Sequence, residues 1–326
     1  MTDLKEKIKL LVKDDLTGIE TALKDNLTPY FSLVEDIAGH LLFSGGKRLR
    51  PLLMVLSARL CGYNGGYDKK FSVLFEYLHA ATLLHDDLVD DAAVRRGKEV
   101  AHLKFGNPQA VLTGDFLLAR SLSLAAATRK PDLIEVIAKI TEDMSQGEIQ
   151  QLYNKGRIDL TEEEYTDVIE RKTAVLIRGA CHSGALIADA ETEKETALID
   201  YGYCLGIAFQ LADDLLDYTA DAATLGKETG ADLKEGKLTL PVIHALEKAS
   251  KIDRDQMVEI IQNEEFSQID FKFLIELLEK YNGLSYTKDK AIENINKAKQ
   301  ALSVFEPSET RTVLELLADY ALVRKV

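Results

Sequence analysis

FSVLFEYLHAATLLHDDLVDD, residues 71–91, has the pattern of one helix that is apolar around its whole circumference until it ends in acid. A helix apolar on every face is a buried one. Its end carries Asp86, Asp87, Asp90 and Asp91. Asp86 and Asp90 stand four residues apart, so their carboxylates lie one above the other on a single face. Like charges at that spacing cost a solvated helix about 0.2–0.5 kcal/mol, and acids near a helix C-terminus oppose its dipole. A run of charge is usually a solvated face, but a buried helix cannot leave its acids in water. They require a compensating cation, and hard oxygen donors favour Mg2+.

The same pattern recurs downstream. CLGIAFQLADDLLDYTAD, residues 204–221, repeats the DDxxD spacing in Asp213, Asp214 and Asp217, with Gln210 one turn earlier on the same face. One DDxxD is a weak signal, whereas two on buried apolar helices make a cage for several Mg2+ ions. Because Mg2+ keeps waters and is completed by substrate phosphates, the cage implies a phosphorylated ligand. Cationic residues fit that ligand. GGKRLRP at 45–51 offers Lys47 and Arg50, Arg95 and Arg96 follow the first acidic motif, ERKTA at 170–174 offers Lys172 and Thr173, and GKETGADLKEGKLTLP at 226–241 offers Lys227 and Lys237 around Asp232. Each alone is more often a solvated side chain. Together they suit two anionic groups, one held through metal and one by Arg and Lys directly.

Around these motifs the helical period persists. It begins with Leu4, Ile8, Leu11 and Leu16 and predicts helices near 52–61, 108–128, 131–153, 162–189, 194–220 and 239–250. Period-2 alternation is scarce. Pro51, Pro108, Pro131, Pro241 and Pro307 stand where helical patterns begin. Without a low-complexity linker, residues 1–326 are expected to form one all-α domain, the last eighty or so being structural. Lys plus Arg is 40 and Asp plus Glu is 54, a net charge of −14. That balance disfavours nucleic acid and anionic membrane surfaces as partners. Cys61, Cys181 and Cys204 lack metal-ligand spacing and fit reduced thiols in a cytoplasmic protein. The N-terminus lacks the apolar core of a signal peptide, and no run of apolar residues reaches membrane-spanning length.

GGKRLRP, EYLHAATLLHDDLVDDAAVRRG, GDFLLARS, QGEIQQL, RKTAVLI, FQLADDLLDY and GKETGADLKEGKLTLP together resemble the trans-isoprenyl diphosphate synthase (polyprenyl synthetase) family, in family order and most clearly over 40–245. The resemblance is greatest to its long-chain, octaprenyl-type members. It implies an all-α bundle around a deep central cavity, a homodimer, and Mg-dependent head-to-tail condensation of an allylic prenyl diphosphate with isopentenyl diphosphate. It further implies that Asp86, Asp90 and Asp213 ligate Mg2+, three ions per site, with Asp87, Asp214, Asp217 and Asp232 behind them or acting through water. Arg95, Lys172, Lys227 and Lys237 would hold the allylic diphosphate, and Lys47, Arg50, His79 and Arg96 the isopentenyl diphosphate. Thr173 and Gln210 would face the reacting carbons. His85 is assigned a packing or supporting role.

The family's chain-length block falls four and five residues before the first aspartate. Those residues are Thr82 and Ala81, both small, so the product is expected to be C30 or longer and destined for a membrane. A helical wheel puts Thr82 near the Asp86 face but Ala81 well round from it. A floor at Phe75, about 16 Å below Asp86 at 1.5 Å per residue, or at Leu78, would instead give a shorter, geranylgeranyl-type product. A terpene cyclase would need neither the second DDxxD nor GGKRLR. A phosphohydrolase built on HDD would need more histidines, and a non-catalytic subunit would have lost acids or arginines.

Overall fold

The structure is a computed structural model that describes residues 2–95, 97–219, 230–263 and 265–323. It is almost entirely helical. In chain order the helices are α1 (Thr2–Leu11), α2 (Lys13–Asp25), α3 (Ser32–Leu42), α4 (Leu49–Leu60) and α5 (Asp68–Val89). A two-residue hairpin follows, β1 (Val94–Arg95) with β2 (Lys98–Glu99), antiparallel, Val94 opposite Glu99 and Arg95 opposite Lys98. Then come α6 (Ala101–Phe105), α7 (Asn107–Ala127), α8 (Pro131–Asn154), α9 (Glu162–Ile169), a π-helical segment (Glu170–Ala174), α10 (Val175–Ile187) and α11 (Thr192–Thr219). The remainder is α12 (Ala231–Lys234), α13 (Leu240–Lys248), α14 (Lys251–Ile261), α15 (Gln268–Lys280), α16 (Gly283–Ala301) and α17 (Glu309–Val323).

The prolines act as the sequence suggests. Pro131 is the first residue of α8, and Pro108 and Pro241 are the second of α7 and α13. Two periodic stretches are interrupted. The N-terminal one breaks at Val12, which separates α1 from α2. The stretch at 162–189 contains the π turn, where the Val175 N–H reaches back five residues to the Glu170 carbonyl.

Buried side chains gather in two clusters. One includes Leu53, Phe75, Tyr77, Leu84, Ile177 and Tyr201, and the other Tyr165, Leu211, Tyr218, Val242 and Leu274. Helix α11 serves both, giving Leu205 and Ala208 to the first and Ile207 and Leu211 to the second. Helix α10 packs on α4, α5, α8 and α11. The π segment is gripped from two sides by glycines. A Cβ on Gly147 of α8 would lie 2.8 Å from Arg171 Cβ, and one on Gly206 of α11 would lie 2.6 Å from Ala174 Cα. Only glycine allows helix backbones so close together.

Helix α7 is long and apolar enough to cross a membrane by length and composition, a property the search for uninterrupted apolar runs overlooks. It packs against α3, α5, α6 and α8. Leu112, 65% exposed, and Leu122 remain on its outer side.

Candidate active site

The first acidic motif ends a helix in a specific way. Asp90 caps α5, and Asp91 adopts φ +49°. The Ala92 N–H returns to the Asp87 carbonyl at 2.9 Å and the Asp91 N–H to the Leu88 carbonyl at 3.4 Å. This pattern closes helix carbonyls through a left-handed residue, a role aspartate tolerates better than most side chains. The turn sends the chain into the hairpin and brings Arg95 back over α5. Its Nε and Nη2 both lie 2.6 Å from Asp87 Oδ1. Asp87, 3% exposed, is therefore an ion-pair partner and stands behind Asp86 and Asp90, which remain half-buried.

The second motif divides in the same manner. Asp213 is half-buried, and Asp214 is 2% exposed. Asp214 accepts from the Tyr165 hydroxyl on one oxygen and from Gln210 Nε2, at 2.7 Å, on the other. Burial and the nearby charge of Asp232 push its carboxyl up to about 8, although these two hydrogen bonds pull the other way. Gln210 in turn accepts from Thr173 Oγ1 at 2.9 Å. Asp217 accepts from the backbone N–H of Ala231 at 3.1 Å and of Asp232 at 3.2 Å, and so anchors the start of α12.

Two routes join the motifs. Lys237 Nζ lies 3.6 Å from Asp90, while its backbone N–H donates to the carbonyl of Asp232, which is bonded to Asp217. Lys172 follows the other route. It pairs with Glu148 at 2.5 Å, its charge acts on Asp86, and the adjacent Thr173 holds Gln210. Burial pushes Asp86 up to about 6, opposed by Lys172 and reinforced by Glu148 and Asp90.

Burial is the main cause of that shift, and the carboxylates of both motifs are hard oxygen donors. Among the described residues no three His, Cys, Asp or Glu side chains converge as a ready metal cluster. Hard oxygen donors of this kind suit a divalent ion such as Mg2+, which keeps phosphate and water in its coordination shell.

Sequence reasoning missed three residues here. Glu148 Oε1 and Gln151 Nε2 are buried without a hydrogen-bond partner among the described residues, one turn apart on α8. Their spacing within QGEIQQL was the available signal. Tyr165 carried none, because a lone tyrosine on a short amphipathic helix looks like core.

Lys47 is exposed, with Nζ 5.7 Å from the centre of the Tyr320 ring of α17. Arg50 is the second residue of α4, and His79 is half-buried on α5. Arg96 and Lys227 lie outside the described residues. His85 packs on Gly114, and its Nε2 lies 3.1 Å from the Val111 carbonyl. Ala81, Leu78 and Phe75 are buried, Phe75 completely. Thr82 is half-buried and donates to the His79 carbonyl at 3.0 Å.

Comparison with known proteins identifies the family. The Polyprenyl synthetase family profile matches residues 31–278. The octaprenyl diphosphate synthase of Escherichia coli (strain K12) is 38% identical over 319 residues, 98% of each chain. The crystal structure of a polyprenyl synthase from Caulobacter crescentus, complexed with calcium and isoprenyl diphosphate, superposes with a TM-score of 0.91 at 38% identity and 98% coverage of both chains. That of a decaprenyl diphosphate synthase from Rhodobacter capsulatus gives 0.92 at 35% identity, covering 98% of this chain and 99% of that one.

Proposed function

The chain belongs to the Polyprenyl synthetase family, and from that premise we propose that it lengthens an allylic prenyl diphosphate by head-to-tail addition of isopentenyl diphosphate, giving a trans-polyprenyl diphosphate of C30 or longer. It is a prenyltransferase. The observation that carries the site assignment is the linkage of two DDxxD motifs through Lys237 on one side and Lys172, Thr173 and Gln210 on the other.

Asp86, Asp90 and Asp213 would hold Mg2+, three ions in this reading, and the bound ions would neutralise charge on the departing diphosphate. Lys172, Lys237, Arg95 and Lys227 grip that diphosphate, with Arg95 aimed by Asp87. Lys47, Arg50, His79 and Arg96 orient the isopentenyl diphosphate so that its double bond faces the allylic carbon. As the C–O bond breaks, Thr173 and Gln210, tied at 2.9 Å, present oxygen dipoles to the cation. The apolar walls of α5, from Thr82 down to Phe75, keep water from it. The double bond attacks, and the proton then lost passes to the released diphosphate, since no side-chain base stands out.

The whole chain acts as one unit in this reading, supported by α11 serving both cores. The outward leucines of α7 suit a second copy and a cytoplasmic homodimer that delivers its product to a membrane. Purified protein given Mg2+, farnesyl diphosphate and labelled isopentenyl diphosphate tests the proposal. Lipids of C30 to C50 are expected. Arrest at C20 or C25 would overturn the chain length, and no incorporation by folded protein would overturn the activity.

A further inference from the structure

Arg48 occupies the loop between α3 and α4, flanked by Lys47 and close to Arg50, yet its side chain turns away from both toward the core. It is 4% exposed. Its backbone sits at φ +50°, ψ +34°, the left-handed region that costs any side chain with a Cβ. A glycine would adopt this turn without strain, so the geometry alone does not explain an arginine. The guanidinium does. Nε donates to Glu20 Oε1 of α2 at 2.6 Å, Nη1 to Glu76 Oε1 of α5 at 2.7 Å, and Nη2 to the carbonyl of Leu42, the last residue of α3, at 2.6 Å. One planar group thus ties three helices to the loop. Glu76 is itself 6% exposed and stands three residues before His79 and ten before Asp86 on the same helix.

We infer that Arg48 is a positioning residue, whose clamp on Glu20, Leu42 and Glu76 fixes the loop bearing Lys47 and Arg50 against α5. The clamp thereby sets the separation between the isopentenyl diphosphate and the diphosphate held at Asp86 and Asp90. This rests on the assignment of Lys47 and Arg50 to isopentenyl diphosphate made above. A rigid fork with several donors suits the task, because lysine could satisfy only part of it. The structural consequence is selective. Loosening the clamp lets the loop drift while α5, held by its own packing, keeps the acidic end in place.

Arg48→Met and Glu76→Gln are to be compared with the unaltered enzyme and with Arg50→Ala, in steady-state kinetics with each substrate varied in turn. Circular dichroism and thermal melting establish folding. Arg48→Met is expected to raise KM for isopentenyl diphosphate by about tenfold or more, with KM for the allylic substrate within about twofold. Glu76→Gln, which keeps an acceptor but removes the charge, is expected to raise the same constant by a smaller factor and serves if Arg48→Met does not fold. Arg48→Lys should restore part of the loss. Melting lowered with both KM values unchanged, or both KM values raised together, would show a merely structural residue and overturn the inference. If Arg50→Ala leaves KM for isopentenyl diphosphate unchanged, the site assignment itself fails. If Arg50→Ala raises it and neither clamp variant does, only the positioning role fails.

Discussion

Gly206→Ala should damage catalysis through packing alone. An added Cβ would meet Ala174 Cα at 2.6 Å and Ala174 Cβ at 2.7 Å, where ordinary contact begins at 3.4 Å. Relief therefore needs a separation of about 0.8 Å between α11 and the π segment, the difference of those distances. Both atoms in the clash belong to rigid parts of helices, so no flexible side chain can swing away. Gln210 lies one turn beyond Gly206, and its bond to Thr173 spans 2.9 Å. Lengthened by the same amount it reaches about 3.7 Å, which is no longer a hydrogen bond. Overpacking of this kind costs about 1–3 kcal/mol of stability, and misplacement approaching 1 Å at reacting groups costs up to about 100-fold in rate. The assay is incorporation of labelled isopentenyl diphosphate at saturating substrates, read beside thermal denaturation. Gly184→Ala is the control. It collides equally hard, 2.5 Å from the Met54 carbonyl, but between α10 and α4 and away from Thr173. The expected result is a lowered melting temperature in both variants and a fall in kcat of about ten- to 100-fold in Gly206→Ala alone. Equal kcat losses in the two, or none in Gly206→Ala, would refute the link between helix approach and the Thr173–Gln210 pair.

Asp86→Asn should abolish turnover at every Mg2+ concentration, because the amide keeps the size and loses the charge; activity restored by excess Mg2+ would remove Asp86 from the ligand set. Thr82→Phe should shorten the product, measured by sizing the extracted lipids, and an unchanged length would place the block elsewhere on α5. Tyr165→Phe deletes the hydroxyl that Asp214 accepts, and a loss of about 1–3 kcal/mol in stability is expected from the group left short of a partner. Denaturant unfolding of that variant with an unchanged midpoint would show the bond to be dispensable.

The helical framework was legible because burial imposes a period that few other patterns mimic, and the prolines at 108, 131 and 241 marked starts that the structure keeps. The acidic motifs were legible for a different reason: charge in an apolar helix is costly and so conspicuous. What stayed hidden depends on contacts between distant segments. The resemblance, not the spacing, set Asp87 apart from Asp86; the physical cause lies in the left-handed turn at Asp91, which lets Arg95 hydrogen-bond Asp87. Arg48 gave no sign that it differs from Lys47 and Arg50, since its inward course is set by a single φ angle. The π turn was invisible because one extra residue leaves the apolar pattern on either side nearly intact.

That extra residue has a consequence for how such chains can vary. Removing one residue from 170–174 would let Glu162 to Ile187 run as a continuous α-helix, with its backbone bonds still paired. The residues before the deletion would turn by about 100° against those after it, and the bulge that sets Lys172 against Glu148 and Thr173 against Gln210 would be gone. These contacts are therefore lost in one deletion, and an ordinary helix regains them only through an insertion at this one place.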